Sequence, residues 1–278
     1  LENAVKKNFS KMETIIKVIL ELGLCEIIYF KDLSHKISIA EYNKVSSSFL
    51  NKNEVGLING ILDKIANNII NEWIRSYKKI FLPLSLKKEF SLNLDDDAAL
   101  LPKKKQLIVG TDSIVEGDHF EKNEKNPLLI AKKLLRVNLS DLASMSADPF
   151  GYTLNLSLPN YKNKNKLINW IKSFAEGLKQ DQSKYQINLL GGDTVVTKGP
   201  LILSLTLFGY KNKKIIKRSN AKLDDDIYVT GNIGDSGIGY KILLKKLKLN
   251  NYLNNFYINH YKLPNPPVKF GKKLFLFA

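Results

Sequence analysis

Apolar residues recur at helical spacing through the first quarter of the chain. After that they alternate between strand-like and helix-like periods. Ile15, Ile19 and Leu22, with Ile16 and Leu20 beside them, make one wide apolar face and predict a helix. Asp32-Leu33-Ser34-His35-Lys36 breaks it. A second helix, starting at Ser38 or Glu41, sets Tyr42, Val45 and Phe49 on one side. Asn51-Lys52-Asn53 reads as a loop, and Leu57, Ile58, Ile61, Leu62, Ile65 and Ile69 mark a third amphipathic helix. Residues 1–70 therefore read as a small helical segment, a bundle or binding module with no glycine-rich loop and no carboxylate pair.

From Asn71 the pattern changes. Glu72 to Phe81 predicts a short helix stopped by Pro83. Leu107-Ile108-Val109-Gly110-Thr111 reads as a buried strand delivering Asp112 at its end, and Leu128 to Met145 as a long helix. Tyr152 to Leu158 alternates as a strand, Leu167 to Tyr185 is helical, Ile187 to Leu190 is a strand that breaks at Gly191-Gly192, and Leu201 to Gly209 is a strand again. Helices interleaved with strands make an α/β layer. After Lys211 a further unit begins, with a strand at Ile227 to Gly231, a glycine-rich turn to Ser236 and a helix from Gly237 to Leu247. The expected division is 1–70, 71–210 and 211–278.

Composition narrows the function classes. The 278 residues suit one large domain or two modest ones, and a hydrophobic content of 44% is ample for a core. The net charge of +16 raises a nucleic-acid reading. The basic residues are scattered, as in Lys103-Lys104-Lys105 and Lys211-Asn212-Lys213-Lys214, without interleaved aromatics to stack on bases. A solvated basic surface that attracts phosphates accounts for them. Cys25, the single cysteine, lies in an apolar stretch and reads as a buried thiol; it excludes a disulfide framework and a cysteine-built zinc site. A reducing, cytoplasmic location is expected. No apolar run reaches the roughly 18 residues that suggest a membrane span. Both ends read as those of a fragment.

The candidate chemistry is carboxylate chemistry. Asp95-Asp96-Asp97-Ala98-Ala99-Leu100, Thr111 to Phe120 (TDSIVEGDHF), Asn138-Leu139-Ser140-Asp141-Leu142-Ala143 and Gly191-Gly192-Asp193-Thr194 place acids at turns and element ends of a basic chain. Magnesium is the natural counter-charge, because it bridges one or two carboxylates to substrate phosphates. Phosphoryl transfer needs such metals and in-line positioning, and little else. If their strands are adjacent, Asp97, Asp112, Asp141 and Asp193 converge at one edge. Thr111 adds a hydroxyl or carbonyl ligand, Gly191-Gly192 permits close approach of a phosphate, and Arg218 is a candidate bidentate clamp. Each motif alone has a plainer reading: a solvated aspartate turn, a helix-surface Asp141, an ordinary glycine turn, a packed His119. Their order and joint occurrence carry the argument.

That joint pattern resembles the thiamine-monophosphate kinase family of the PurM-like superfamily, from about Glu72 to Phe270. The family's GDDAAxL, TDxLVEGxHF, KALAVNLSDLAAMGADP, LIGGDT and RSGAKPGDxIYVTGxxGDSAxGL are answered by Asp95–Leu100, Thr111–Phe120, Lys132–Pro149, Leu189–Thr194 and Arg218–Tyr240. The resemblance implies a PurM-like N-terminal ATP-binding domain, a partial C-terminal domain and a dimer formed through the N-terminal domain. It implies Mg²⁺ on Asp97, Thr111, Asp112, Asp141 and Asp193, with a backbone oxygen of Gly110. It implies ATP on Gly192, Asp193 and Arg218, and thiamine monophosphate on His119. The implied reaction is direct phosphoryl transfer from ATP to thiamine monophosphate. Asp95 stands where the family has glycine, Asn220 replaces a glycine, and Leu223-Asp224 replaces Pro-Gly. The family's later DxSDG motif has no counterpart before Ala278, so weak metal and nucleotide binding is expected of this chain alone. Residues 1–70 resemble the C-terminal half of the NusB antitermination factor family, most specifically at Gly56 to Ala66. RNA or transcription-complex contact is the partner that resemblance suggests, although the family's basic N-terminal part is absent. Other PurM-like ATP users, such as aminoimidazole ribonucleotide or selenophosphate synthetases, and a non-catalytic module remain the competing readings.

Overall fold

The computed structural model describes residues 14–29, 35–94, 98–101, 106–122, 124–161, 163–217, 219 and 221–277. Asp95 to Asp97, Arg218 and Asn220, together with the side chain of Cys25, lie outside the described residues. The chain divides into two compact units, 1–79 and 80–278.

The first unit holds α1 (Thr14–Tyr29), α2 (His35–Ser47) and most of α3 (Lys52–Phe81). Ile16, Ile19, Leu20, Ile27, Ile39, Ile58, Ile61, Leu62 and Ala66 form its core, with Tyr42, Leu50 and Ile65 packed against it. Of the side expected to carry Tyr42, Val45 and Phe49, Val45 is 47% exposed and Phe49, in the turn past the end of α2, is 67% exposed, while Ile39 takes the inward place. Asn51 begins α3: its side-chain oxygen accepts from the amides of Asn53 (3.0 Å) and Glu54 (3.1 Å), and Glu54 accepts from the Asn51 amide (2.9 Å). This is a reciprocal cap.

The separate short helix expected at 72–81 is instead the end of α3, which runs for 30 residues. No glycine or proline stands between Gly60 and Pro83 to stop it. Pro83 then turns the chain into a single 3-10 turn, Leu82–Leu84.

The second unit opens with α4 (Lys88–Ser91) and is built on a four-stranded mixed sheet. Its strands are β1 (Leu107–Val115), β2 (Ala147–Pro159), β3 (Asn188–Thr197) and β4 (Ile202–Lys211), in the order β1-β4-β2-β3. β2 and β3 are parallel, and β4 runs antiparallel to both of its neighbours. The crossovers are α5 (Pro127–Ser144), which joins β1 to β2, and α6 (Lys164–Tyr185), which joins β2 to β3; the two helices pack on each other. Each has an asparagine cap: Asn126 accepts from the Leu128 amide, ahead of Pro127, and Asn163 from the Lys166 amide.

One sheet face is apolar and buried under these helices. Leu203, Leu205 and Leu207 of β4, with Tyr152, Leu154 and Leu156 of β2, meet Leu134, Leu135, Leu139, Ile171, Phe174 and Leu178 there. The opposite face carries Ser113, Ser204, Asn155 and Asp193 in one cross-strand row. A buried pair ties the layer together. Arg136 donates through Nε (2.6 Å) and Nη2 (2.8 Å) to Asp181, and through Nη1 to the Pro264 carbonyl (3.0 Å).

Past β4 lie α7 (Asp235–Leu243), α8 (Asn251–Lys262), which packs on α7, and the single turn α9 (Val268–Gly271), which packs on α5. The strand expected at Ile227–Gly231 is absent: Ile227 is 92% and Tyr228 87% exposed, and neither joins a ladder among the described residues. An apolar alternating run without a partner strand has no ladder to hold it.

Candidate active site

Asp112 is not at the end of a strand as expected; it lies inside β1, opposite Leu205, on the helix-covered face. The cross-strand row continues from Leu205 through Leu154 to Gly192. Leu205 and Leu154 are buried, whereas Asp112, on an edge strand, stays open to solvent. α5 passes alongside β1. Its Lys133, Val137 and Asp141 follow at four-residue spacing, so they form one stripe along the helix. Asp141 is exposed in the last turn, and its carbonyl accepts from Ser144 Oγ (2.8 Å).

The turn after β1 shapes the next wall. Gly117 adopts φ +92°, a left-handed conformation suited to glycine, and its amide donates to the Phe120 carbonyl (2.8 Å). Phe120 is buried and anchors the turn. The Glu116 amide donates to the Leu201 carbonyl (2.9 Å) and its carboxylate accepts from the Leu201 amide (3.2 Å). The Val115 amide donates to His119 Nδ1 (3.2 Å), so a neutral ring carries its hydrogen on Nε2.

The His119 carbonyl accepts from Lys133 Nζ (2.7 Å) and from the Tyr261 hydroxyl (3.1 Å). Lys133 also sits over the Tyr261 ring at 3.6 Å, and Tyr240 stacks on Tyr261 at 5.3 Å. Burial, and secondarily the Lys262 ammonium, lower the Lys133 pKa to about 8. Burial pushes Lys262 the same way, but Glu124 (2.5 Å) and Glu121 (3.2 Å) reverse the sign and hold its pKa above the ordinary value.

These pieces enclose an open pocket of about 400 Å³ lined by Asp112, Ser113, Ile114, Asp118, His119, Lys133, Val137, Tyr240 and Tyr261. Its size suits a small-molecule ligand. Two expected residues, Asp112 and His119, meet here, and Asp141 continues the α5 stripe from the pocket wall.

Others do not meet. β1 and β3 are the two sheet edges, three ladder spacings or about 14 Å apart. Asp193 therefore lies far from Asp112 within one chain, and it occupies the other sheet face, accepting from the Thr194 amide (2.7 Å). Convergence of all the acids on one edge is thus not what this sheet order gives, and no group of three or more potential metal ligands forms among the described residues. Asp112, an exposed carboxylate on the pocket wall, is a donor of the type magnesium takes when water and phosphate complete its shell.

Thr111 points to the helix-free face, where its hydroxyl donates to the Leu205 carbonyl and accepts from Thr206 (both 3.2 Å). Gly110 lies against Leu142. Gly192 has a local structural reason to be glycine. The β2–β3 register shifts between Tyr152 and Thr153, and a Cβ at Gly192 would stand 1.9 Å from the Leu154 carbonyl oxygen. The same shift carries β3 through Gly191-Gly192 to Thr197 instead of breaking it there. Asp97 and Arg218 lie outside the described residues.

Sequence reasoning missed Asp118, Lys133, Tyr240 and Tyr261. The α5 stripe was the available signal for Lys133; Tyr261 sits on a helix with no motif.

Comparisons with known proteins bear on the fold and the family likeness. Residues 95–210 match the family described as AIR synthase related protein, N-terminal domain, and residues 1–67 match the NusB family. The chain is similar to the thiamine-monophosphate kinase of Buchnera aphidicola subsp. Schizaphis graminum (strain Sg), at 41% identity over 182 residues, covering 64% of this chain and 54% of that protein. It is similar to the crystal structure of thiamine-monophosphate kinase from Stenotrophomonas maltophilia K279a, with a TM-score of 0.60, 35% identity, and coverage of 69% of this chain and 61% of that one. It shares the fold of AaThiL complexed with AMPPCP and TMP, with a TM-score of 0.56 and 23% identity over 66% of this chain and 59% of that one. The fold is PurM-like α/β, with a helical segment in front. The chain spans about half the length of the curated relatives it matches.

Proposed function

We propose that this chain carries the Mg²⁺- and ATP-binding half of a thiamine-monophosphate kinase. The terminal phosphoryl group of ATP passes directly to a phosphate oxygen of thiamine monophosphate, the bond to the ADP oxygen breaks, and thiamine diphosphate and ADP result. The observation that carries the reading is the pocket. Three separated motifs, TDSIVEGDHF, the α5 helix and the start of the second PurM-like unit, deliver Asp112, His119, Lys133 and Tyr240 to one cavity.

In this reading Asp112 and Asp141 hold magnesium, which supplies charge neutralisation for the phosphates. Asp97 and Gly110 are proposed as further ligands of magnesium there, and Thr111 and Asp193, on the other sheet face, as ligands of a separate magnesium ion. Gly192, Asp193 and Arg218 take ATP, and His119 faces thiamine monophosphate. A homodimer is part of the proposal. The helix-free sheet face is the proposed dimer surface. No helix among the described residues is long and apolar enough to cross a membrane, which fits the proposed cytoplasmic location.

Calorimetric titration tests the assignment. Thiamine monophosphate should bind in the presence of magnesium, and Asp112→Asn should weaken magnesium-dependent binding while His119→Ala weakens the thiamine ligand alone. Binding unaffected by either change would sink the pocket assignment. The match of residues 1–67 to the NusB family favours a second, separate reading, RNA contact by the first unit. Salt-dependent RNA binding that survives removal of residues 83–278 is its test.

A further inference from the structure

We infer that Lys133 is an anion-contacting residue of this pocket, which grips the phosphate of a phosphorylated acceptor between its ammonium and a metal on Asp112. The inference rests on the proposed function and goes beyond it in naming a residue and a role.

Two neighbouring ammonium groups, Lys133 of the pocket and Lys262 beside it, are treated differently. Lys262 meets the carboxylates of Glu121 and Glu124. Lys133 lies deeper, and the partners that fix it, the His119 carbonyl and the Tyr261 ring, are both neutral. A lysine serving only to pin α5 to the neighbouring turn gains more beside a carboxylate, yet Glu121 and Glu124, just past that turn, meet Lys262 instead. A half-buried ammonium whose direct contacts among the described residues are neutral is the arrangement of a site that takes its counter-charge from a ligand.

The geometry around Lys133 is also fixed in advance. The Tyr261 hydroxyl donates to the same carbonyl as Lys133, and Tyr240 stacks on Tyr261, so the ammonium rests on a braced aromatic surface. Asp112 lines the same pocket. A phosphate monoester dianion placed there meets a divalent metal on one side and Lys133 on the other. His119, the proposed contact of thiamine monophosphate, lines the same pocket and offers Lys133 its carbonyl, so the phosphate assigned to Lys133 is the acceptor's.

The test compares thiamine monophosphate with unphosphorylated thiamine by calorimetry on the full chain, as wild type, Lys133→Met and Lys133→Arg, each first shown to unfold cooperatively well above the assay temperature. Wild type should prefer the phosphorylated ligand. Lys133→Met should lose about 10- to 100-fold in affinity for it, the range of one charge-assisted contact, and none for thiamine. Lys133→Arg should recover part of the loss, and AMPPCP binding should not change. Equal loss for both ligands, or no loss for either while wild type discriminates, overturns the role of Lys133. A wild type that binds neither ligand overturns the acceptor pocket itself, and the role with it.

Discussion

The Arg136–Asp181 pair offers the most quantitative test of how the second unit holds its pocket. Side-chain exposure is 8% for Arg136 and 2% for Asp181, so both charges have left water. Burial alone would lower the Arg136 pKa. The hydrogen bonds and charge of Asp181 outweigh it, and the guanidinium stays above its ordinary value. Asp181→Leu leaves that cation buried beside a hydrocarbon. Removing one member of a buried pair costs about 3–5 kcal/mol. For a unit the size of residues 80–278, each kcal/mol moves the melting point by about 2–4 °C, so a fall of about 6–20 °C is expected by calorimetry.

Replacing both members, Arg136→Met with Asp181→Leu, removes the stranded charge. That double variant should lose only about 1 kcal/mol, the value of the hydrogen bond to the Pro264 carbonyl. Arg136→Met in turn strands the buried Asp181 carboxylate and should also cost about 3–5 kcal/mol, so a double-mutant cycle returns a coupling of about 5–9 kcal/mol. Additive losses, or a single variant within 1 °C of wild type, would refute the reasoning. Pro264 directly follows the end of α8, which presents Tyr261 to the pocket. Arg136→Met should therefore also weaken acceptor binding without touching the ligand.

Three further outcomes follow from particular atoms. Gly192→Ala forces a Cβ onto the Leu154 carbonyl and should cost about 1–3 kcal/mol in urea unfolding, whereas Gly191→Ala, with nothing within 4 Å, should stay within about 0.5 kcal/mol; equal effects would contradict the bulge geometry. Tyr152 is fully buried and its hydroxyl has no hydrogen-bond partner among the described residues, so Tyr152→Phe should be neutral or stabilising by about 1 kcal/mol, and a clear loss would reveal a partner. The Lys133 pKa of about 8 lies below the ordinary 10.5, so between these values the unfolded chain holds a proton that the folded chain has released. Stability gains with rising pH over that window, and Lys133→Met should flatten the gain in urea midpoints compared at about pH 7.5 and 9.5.

Much of the fold was legible because its signals are local. The long helices α5 and α6, the alternation in β2, and the stop at Pro83 are all set by neighbours in sequence. What the sequence hid is long-range. Nothing in the spacing of Asp112 and Asp193 reveals that β4 inserts between β1 and β2, or that β3 lies beyond them. That order separates the two acids by the width of the sheet. The continuity of α3 was hidden for a different reason: the polar stretch after Ile69 looks like a break, yet Asn and Glu are tolerated in a helix that no glycine or proline interrupts. The Ile227 to Gly231 run shows the converse, since strand propensity without a partner yields no strand. Within the pocket, Asp112 and His119 were readable from their motif. Lys133 and Tyr261 acquire meaning only when α5 and α8 bring them to the same carbonyl.

The central claim is transfer of a phosphoryl group to thiamine monophosphate. The most direct test supplies ATP labelled at the terminal phosphate, magnesium and thiamine monophosphate. The chain is assayed as it stands and continued with the remaining C-terminal residues of the Buchnera relative. The account predicts labelled thiamine diphosphate from the continued chain, none when EDTA is added, and a loss of at least about 100-fold in Asp112→Asn. Binding of both ligands with no labelled thiamine diphosphate, or equal transfer by Asp112→Asn, would contradict it.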